Sequence, residues 1–166
     1  MQLSSVSGIS DVVKRMHTVK GEFAKGMERG LIKAALHLKR KSQQIVPVDT
    51  GALKASAYVK KEGSGFSTDV TVGYGAYVPG FIRSPNLYAM WVHERTDLHH
   101  AAGTMAKFLS IPMEEERDKM GDIIREEASK PSGSIPSLPP VYLAEESTGM
   151  FRGVGGRFLP PKKGGR

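Results

Sequence analysis

Cysteine is absent from the 166 residues, which removes disulfide frameworks, thiolate metal sites and thiol nucleophiles and fits a reducing compartment. Long apolar runs are missing too. No stretch approaches the roughly 18 apolar residues a membrane span needs, and Met1 to Asp11 holds no apolar signal-peptide core. These absences predict a soluble protein made in a cytoplasm, with no membrane partner. The chain also lacks a Gly-x-Ser-x-Gly elbow, and Gly73-Tyr74-Gly75 is followed by neither a third glycine nor a Gly-Lys-Ser/Thr run, so it is not a phosphate loop. Acidic residues are the minority, 17 against 24 Lys and Arg, for a formal charge of +7. The excess is uneven: residues 130–166 carry six basic and two acidic side chains. Such a balance permits contact with a polyanion but more often serves solubility.

What is present organises around Ile45 to Lys61. From Asp11, an N-cap candidate, apolar residues fall at Val12, Met16, Val19, Phe23, Met27, Leu31, Ala34, Ala35 and Leu38, in steps of three and four. That spacing predicts a long amphipathic helix, with Gly21, Gly26 and Gly30 weakening it or marking a bend. Its polar face is basic, nine Lys or Arg against two Glu over residues 12–44. Pro47 has no amide hydrogen and biases Val46 out of the α region, so the helix should stop near Gln44 or Ile45. Asp49 and Thr50 then offer oxygens to free amides, Gly51 permits a positive φ, and one short helical turn through Lys54 follows.

Ser56–Glu62 and Phe66–Tyr74 alternate apolar and polar residues around Gly63-Ser64-Gly65 and predict a β-hairpin, with Phe66, Val70 and Val72 on one face. Gly75 to Asn86 reads as a long loop. Leu87 to His93 is either a buried strand or a short helix closing over the sheet. His93 to Gly103 should be a surface loop. Lys107-Phe108-Leu109 leads into a second helix through about Ser129, with Ser110 as cap, Pro112 near its first position and an apolar stripe of Met113, Met120, Ile123 and Ile124. Its polar side holds seven acidic residues against three basic, a natural neighbour for the basic first helix. The composition predicts one α+β domain over 11–129, a flexible arm at 1–10, and an extended Pro/Gly-rich arm at 130–166. That last arm cannot form a core of its own. In outline, a long N-terminal helix and a C-terminal helix pack on a small antiparallel sheet.

The candidate sites are weighed on spacing. His93, Glu94, His99 and His100 are metal-ligand types, but the helical zinc motif needs its histidines four apart, whereas His93 and His99 are six apart across a loop; no metal or other cofactor is expected. Glu114, Glu115 and Glu116 point in different directions and are better explained as first-turn carboxylates facing the helix dipole. A single Asp-Thr-Gly, preceded by a proline-terminated helix rather than an apolar strand, does not make an aspartic protease. The interface candidates are Tyr77, Phe81, Arg83, Trp91, Tyr142, Phe151 and Phe158, drawn from the loop, the apolar segment after it and the tail. No enzyme is expected.

The run Val46-Pro47-Val48-Asp49-Thr50-Gly51-Ala52-Leu53-Lys54-Ala55-Ser56 is similar to the Val-Pro-Val-Asp-Thr-Gly-x-Leu-x-x-Ser signature of the tailed-bacteriophage minor tail component, or tail-completion, family. The Val72-Gly73 strand end, Tyr88-Ala89 before Val92-His93-Glu94, and Lys107-Phe108-Leu109 before the last helix resemble further elements of that family in order, over roughly residues 10–129. The loop Gly75–Asn86 is longer than the family's connection, Glu94 is displaced with no Phe-Gly after it, and the tail beyond Ser129 is outside the shared core. The resemblance implies a structural virion protein of the neck, made in the host cytoplasm. It would form a homo-oligomeric ring, hexamer or dodecamer, that joins the head connector or adaptor to the tail tube or tail terminator and contacts DNA in the channel. Pro47, Asp49, Thr50, Gly51 and Leu53 are then structural motif residues. The alternative is a small basic nucleic-acid-binding protein; a hydrolase with a His-Glu metal site is a more distant third.

Overall fold

The computed structural model describes residues 8–80, 85–130, 133–144, 151–153 and 158–159, with Leu87 and the strands beyond residue 141 described by their backbone only. Helix α1 (Ile9–Ile45) runs unbroken for 37 residues, about 55 Å at 1.5 Å per residue. It begins two residues before Asp11, leaving that carboxylate in the first turn, where it favours the dipole. It ends where Pro47 dictates: Val46 turns extended at φ −63°, ψ 134°, while its amide still donates to the Ser42 carbonyl at 3.0 Å. Gly51 takes the left-handed φ of +84° that its lack of a Cβ permits, and the short helix α2 (Ala52–Ala55) follows.

Strands β1 (Tyr58–Glu62) and β2 (Asp69–Gly73) pair antiparallel, with Tyr58 opposite Gly73 and Glu62 opposite Asp69. The hairpin is shorter than the alternation implies. Phe66 is not on the second strand with Val70 and Val72 but in a 3-10 turn, Gly65–Ser67, where it is exposed and stands 6.1 Å from the Phe23 ring. A backbone turn won over side-chain parity because Gly63 and Gly65 both adopt positive φ. The Leu87–His93 ambiguity resolves as a 3-10 turn (Pro85–Leu87) and helix α3 (Ala89–Glu94). That helix does not close over the sheet. Ala89, Tyr88 and Val92 pack on the cluster of Val46, Leu53 and Phe108, while Met90 and Trp91 face outward.

The second long helix is two pieces, α4 (Ser110–Glu115) and α5 (Arg117–Ser129), broken at Glu116. Leu109 rather than Ser110 is the N-cap, Pro112 stands third, and Met113 is exposed. The loop before it is tied down by main-chain bonds: the Met105 amide donates to the Ile45 carbonyl at 2.9 Å, and the Lys107 amide to the His93 carbonyl at 2.8 Å.

The fold is α+β, with α1 as its axis: the hairpin lies along one side and α5 runs antiparallel along another. Two of the three glycines expected to weaken α1 have a packing role instead. A Cβ at Gly26 would sit 2.8 Å from Ala128 Cα, and one at Gly30 2.8 Å from Ile124 Cα, so these two positions let the helix backbones approach. The expected attraction between basic and acidic helices is realised: Lys33 meets Glu127 at 2.9 Å and Lys41 meets Glu116 at 2.7 Å. Residues 133–141 stay with the domain: Val141 is buried, and Ile135–Pro140 faces Val59–Lys61 across a shallow groove. Further along the C-terminal arm, short strands β3 (Tyr142–Ala144), β4 (Phe151–Gly153) and β5 (Phe158–Leu159) pair antiparallel in that order. No described helix is long and apolar enough to cross a membrane.

Candidate functional site at the Asp-Thr-Gly turn and the projecting helix

Residues 46–56 form a staple between α1 and the hairpin. Leu53 is buried in the central cluster, and Ser56, fully buried, donates from Oγ to the Leu53 carbonyl at 2.7 Å and accepts from the Gly75 amide at 3.1 Å. The Ala76 amide bonds the Ser56 carbonyl at 3.1 Å. A neutral pair, Ser42 Oγ and Tyr74 hydroxyl at 2.7 Å, locks the end of α1 to the chain just after β2, and burial pushes the Tyr74 phenol up from its ordinary value. The capping expectation holds for Thr50, whose Oγ1 accepts from the Ala52 amide at 3.4 Å, a long bond. It does not hold for Asp49, which is exposed; the N-cap of α2 is Gly51, with no side-chain bond.

The outer side of this turn forms one wall of an open cleft of about 800 Å³ whose other wall includes Trp91, Val92, His99 and His100. Trp91 is exposed and carries the Arg95 guanidinium 4.8 Å from its ring centre, a cation–π contact. The His100 Nε2 is buried without a hydrogen-bond partner among the described residues. His93 lies apart from the cleft's histidines: its Nδ1 is 2.8 Å from Glu94 Oε1, and its ring meets the Phe108 edge at 4.9 Å. Lys107 also engages Glu94, which is held below the usual carboxylate range, first by that bond and then by His93. Among the described residues no three His, Asp or Glu side chains gather as a metal would need.

Of the interface candidates, Tyr77 is half-buried and Trp91 lines the cleft. Phe81 and Arg83 lie outside the described residues. Tyr142, Phe151 and Phe158 fall on β3, β4 and β5, and their side chains likewise lie outside what is described.

Two features escaped the sequence reading. The first is a buried ionic belt on α1. Glu28 accepts from Lys61 Nζ at 2.5 Å and from the Gly65 amide at 3.1 Å, and the lysine bond is the main cause holding its carboxyl below the ordinary range. Arg29 donates to the carbonyls of Glu127, Lys130 and Gly133, closing the C-terminal end of α5. Glu127 is drawn down from 4.5 to about 2, chiefly by hydrogen bonds from Lys33 and then Lys130. Glu116 similarly lies below its ordinary value through Lys41 and then His37, so it clamps two helices rather than decorating a first turn.

The second is how far α1 projects. Residues 9–23 are all exposed, although Ile9, Val12, Met16, Val19 and Phe23 are apolar. The signal was in the periodicity, which continues past the point where the other described residues cover it.

No protein-family model, curated protein or solved structure matches the chain.

Proposed function

We propose that this chain is a structural, non-catalytic protein of a tailed-phage virion. In this reading, copies form a ring at the neck that joins the head connector to the tail tube. The observation that carries the reading is the projecting half of α1, because an ordered helix with an uncovered apolar stripe is suited to burial against another subunit. The similarity of the Val46–Ser56 run to the tail-completion signature supplies the particular assembly. The staple supports it as well: Leu53 and Ser56 serve packing and hydrogen bonding at the junction of helix and hairpin, as motif residues of a structural subunit would.

Nucleic-acid binding is the weaker reading. Arg29, Lys33 and Lys41, three cations of the basic helix, are engaged by Glu127 and Glu116 of the same chain, which leaves fewer charges for phosphate. The test is the mass of the purified full chain, alone and mixed with head connector or tail tube. Association of defined stoichiometry with one of them is expected. A chain that joins neither, yet binds duplex DNA with a steep salt dependence, overturns the joining role in favour of the alternative.

A further inference from the structure

The exposed apolar residues of α1 are not scattered. Ile9, Val12, Met16, Val19 and Phe23 are 59, 57, 66, 64 and 47% exposed, and their steps of three and four are those of a and d positions in a heptad. Continued along the helix, the same frame puts Gly26, Gly30, Lys33 and His37 on the seam, where the first three meet α5 at Ala128, Ile124 and Glu127 and His37 meets its N-cap, Glu116. One seam therefore runs the length of α1. Its second part is filled by an antiparallel helix of the same chain, and its first part begins where α5 ends, at Ser129. Phe66 stands beside Phe23 and widens the uncovered patch at that boundary.

The geometry points to a second copy of this chain as the occupant, its α1 antiparallel to the first across a two-fold axis. Charge decides both partner and direction. Arg15 and Glu22 are g positions and Val13 and Lys20 are e positions, and none of the three charged side chains is in an ion pair among the described residues. Antiparallel pairing sets Met16 against Val19 of the second copy and Val12 against its Phe23. It faces Arg15 with Glu22 of the second copy, twice by symmetry, and lays the Lys20 stem over Val13. Parallel pairing would face Arg15 with Lys20 twice, a repulsive arrangement. The helix is already ordered by its clamped half, so association does not carry the cost of forming it.

This contact closes on itself, so a ring would be built from such pairs through other surfaces, and the pairing does not depend on the neck assignment. Sedimentation equilibrium of the full chain should give a dimer. Val19→Asp should give a monomer of unchanged helix content whose melting midpoint matches that of the unaltered chain diluted until it dissociates, since the residue is exposed in the single chain. Arg15→Glu or Glu22→Arg alone should weaken the dimer on the order of tenfold, and the double exchange should restore it. A full chain that stays monomeric, a dimer indifferent to Val19→Asp, or a dimer tightened by Arg15→Glu would each overturn the antiparallel pair. A dimer that joins neither connector nor tail tube would leave this inference standing and remove the proposed function.

Discussion

Gly26 and Gly30 show how one residue type takes opposite values along one helix. With α5 backbone 2.8 Å from where each Cβ would be, Gly26→Ala or Gly30→Ala should destabilise by about 1–3 kcal/mol through overpacking, read as a lower urea midpoint at constant slope. Gly21 has nothing within 4 Å, and Gly21→Ala should stabilise by up to about 1 kcal/mol on helix propensity alone. Arg29 is a further case, its side chain 3% exposed and bonded to three carbonyls at the end of α5. Arg29→Met should cost about 3 kcal/mol by stranding those acceptors and part of the Glu127 pairing. None of this was visible in the residues themselves. Three glycines read alike, and Glu28-Arg29 reads as solvated polar face, because only the position of α5 and of the Lys61 strand makes them different.

Among the elements, those governed by local rules were the legible ones. Pro47 ended α1 within a residue of the expected place, Gly51 took its positive φ, and the charges of the two long helices foretold their pairing. Where tertiary packing arbitrates, local rules gave less. The hairpin lost Phe66 to a turn, α3 sided with the Phe108 cluster, and the acidic helix broke at Glu116 where that carboxylate bridges to His37 and Lys41. The α1–α5 junction is also the acid-sensitive element. Glu127 has a folded-state value of about 2 against 4.5 ordinarily, so its contribution is complete above about pH 4.5 and is lost as the pH falls toward 2. Glu116 and Glu28 shift in the same direction. Unfolding midpoints followed from pH 6 downward should therefore fall over that window, and Glu127→Gln should flatten the fall while lowering stability at neutral pH.

For the whole molecule, the outline was in the sequence: an α+β body on a long helix. What the periodicity of residues 12–38 could not say is where the covering ends, because a continuous apolar stripe looks the same whether its partner is in the chain or outside it. The candidate loop residues Phe81 and Arg83 lie outside the described structure, so the outward-facing Trp91 and the turn at Asp49 are the observed part of that surface. Since residues 9–19 are all exposed in the single chain, a chain lacking residues 1–19 should lose the proposed α1 dimer and unfold at nearly the midpoint the full protein shows when diluted to monomer, measured by calorimetry and sedimentation together.

The unbroken course of α1 has a mechanical consequence. Its tip and its clamped half are one rod, so a load applied at Ile9 is delivered as torque to the hairpin and α5 instead of being absorbed in a linker. Gly21, with nothing within 4 Å of where a Cβ would stand, has the lowest helix propensity in the exposed part of that lever, so an alanine there should stiffen the rod.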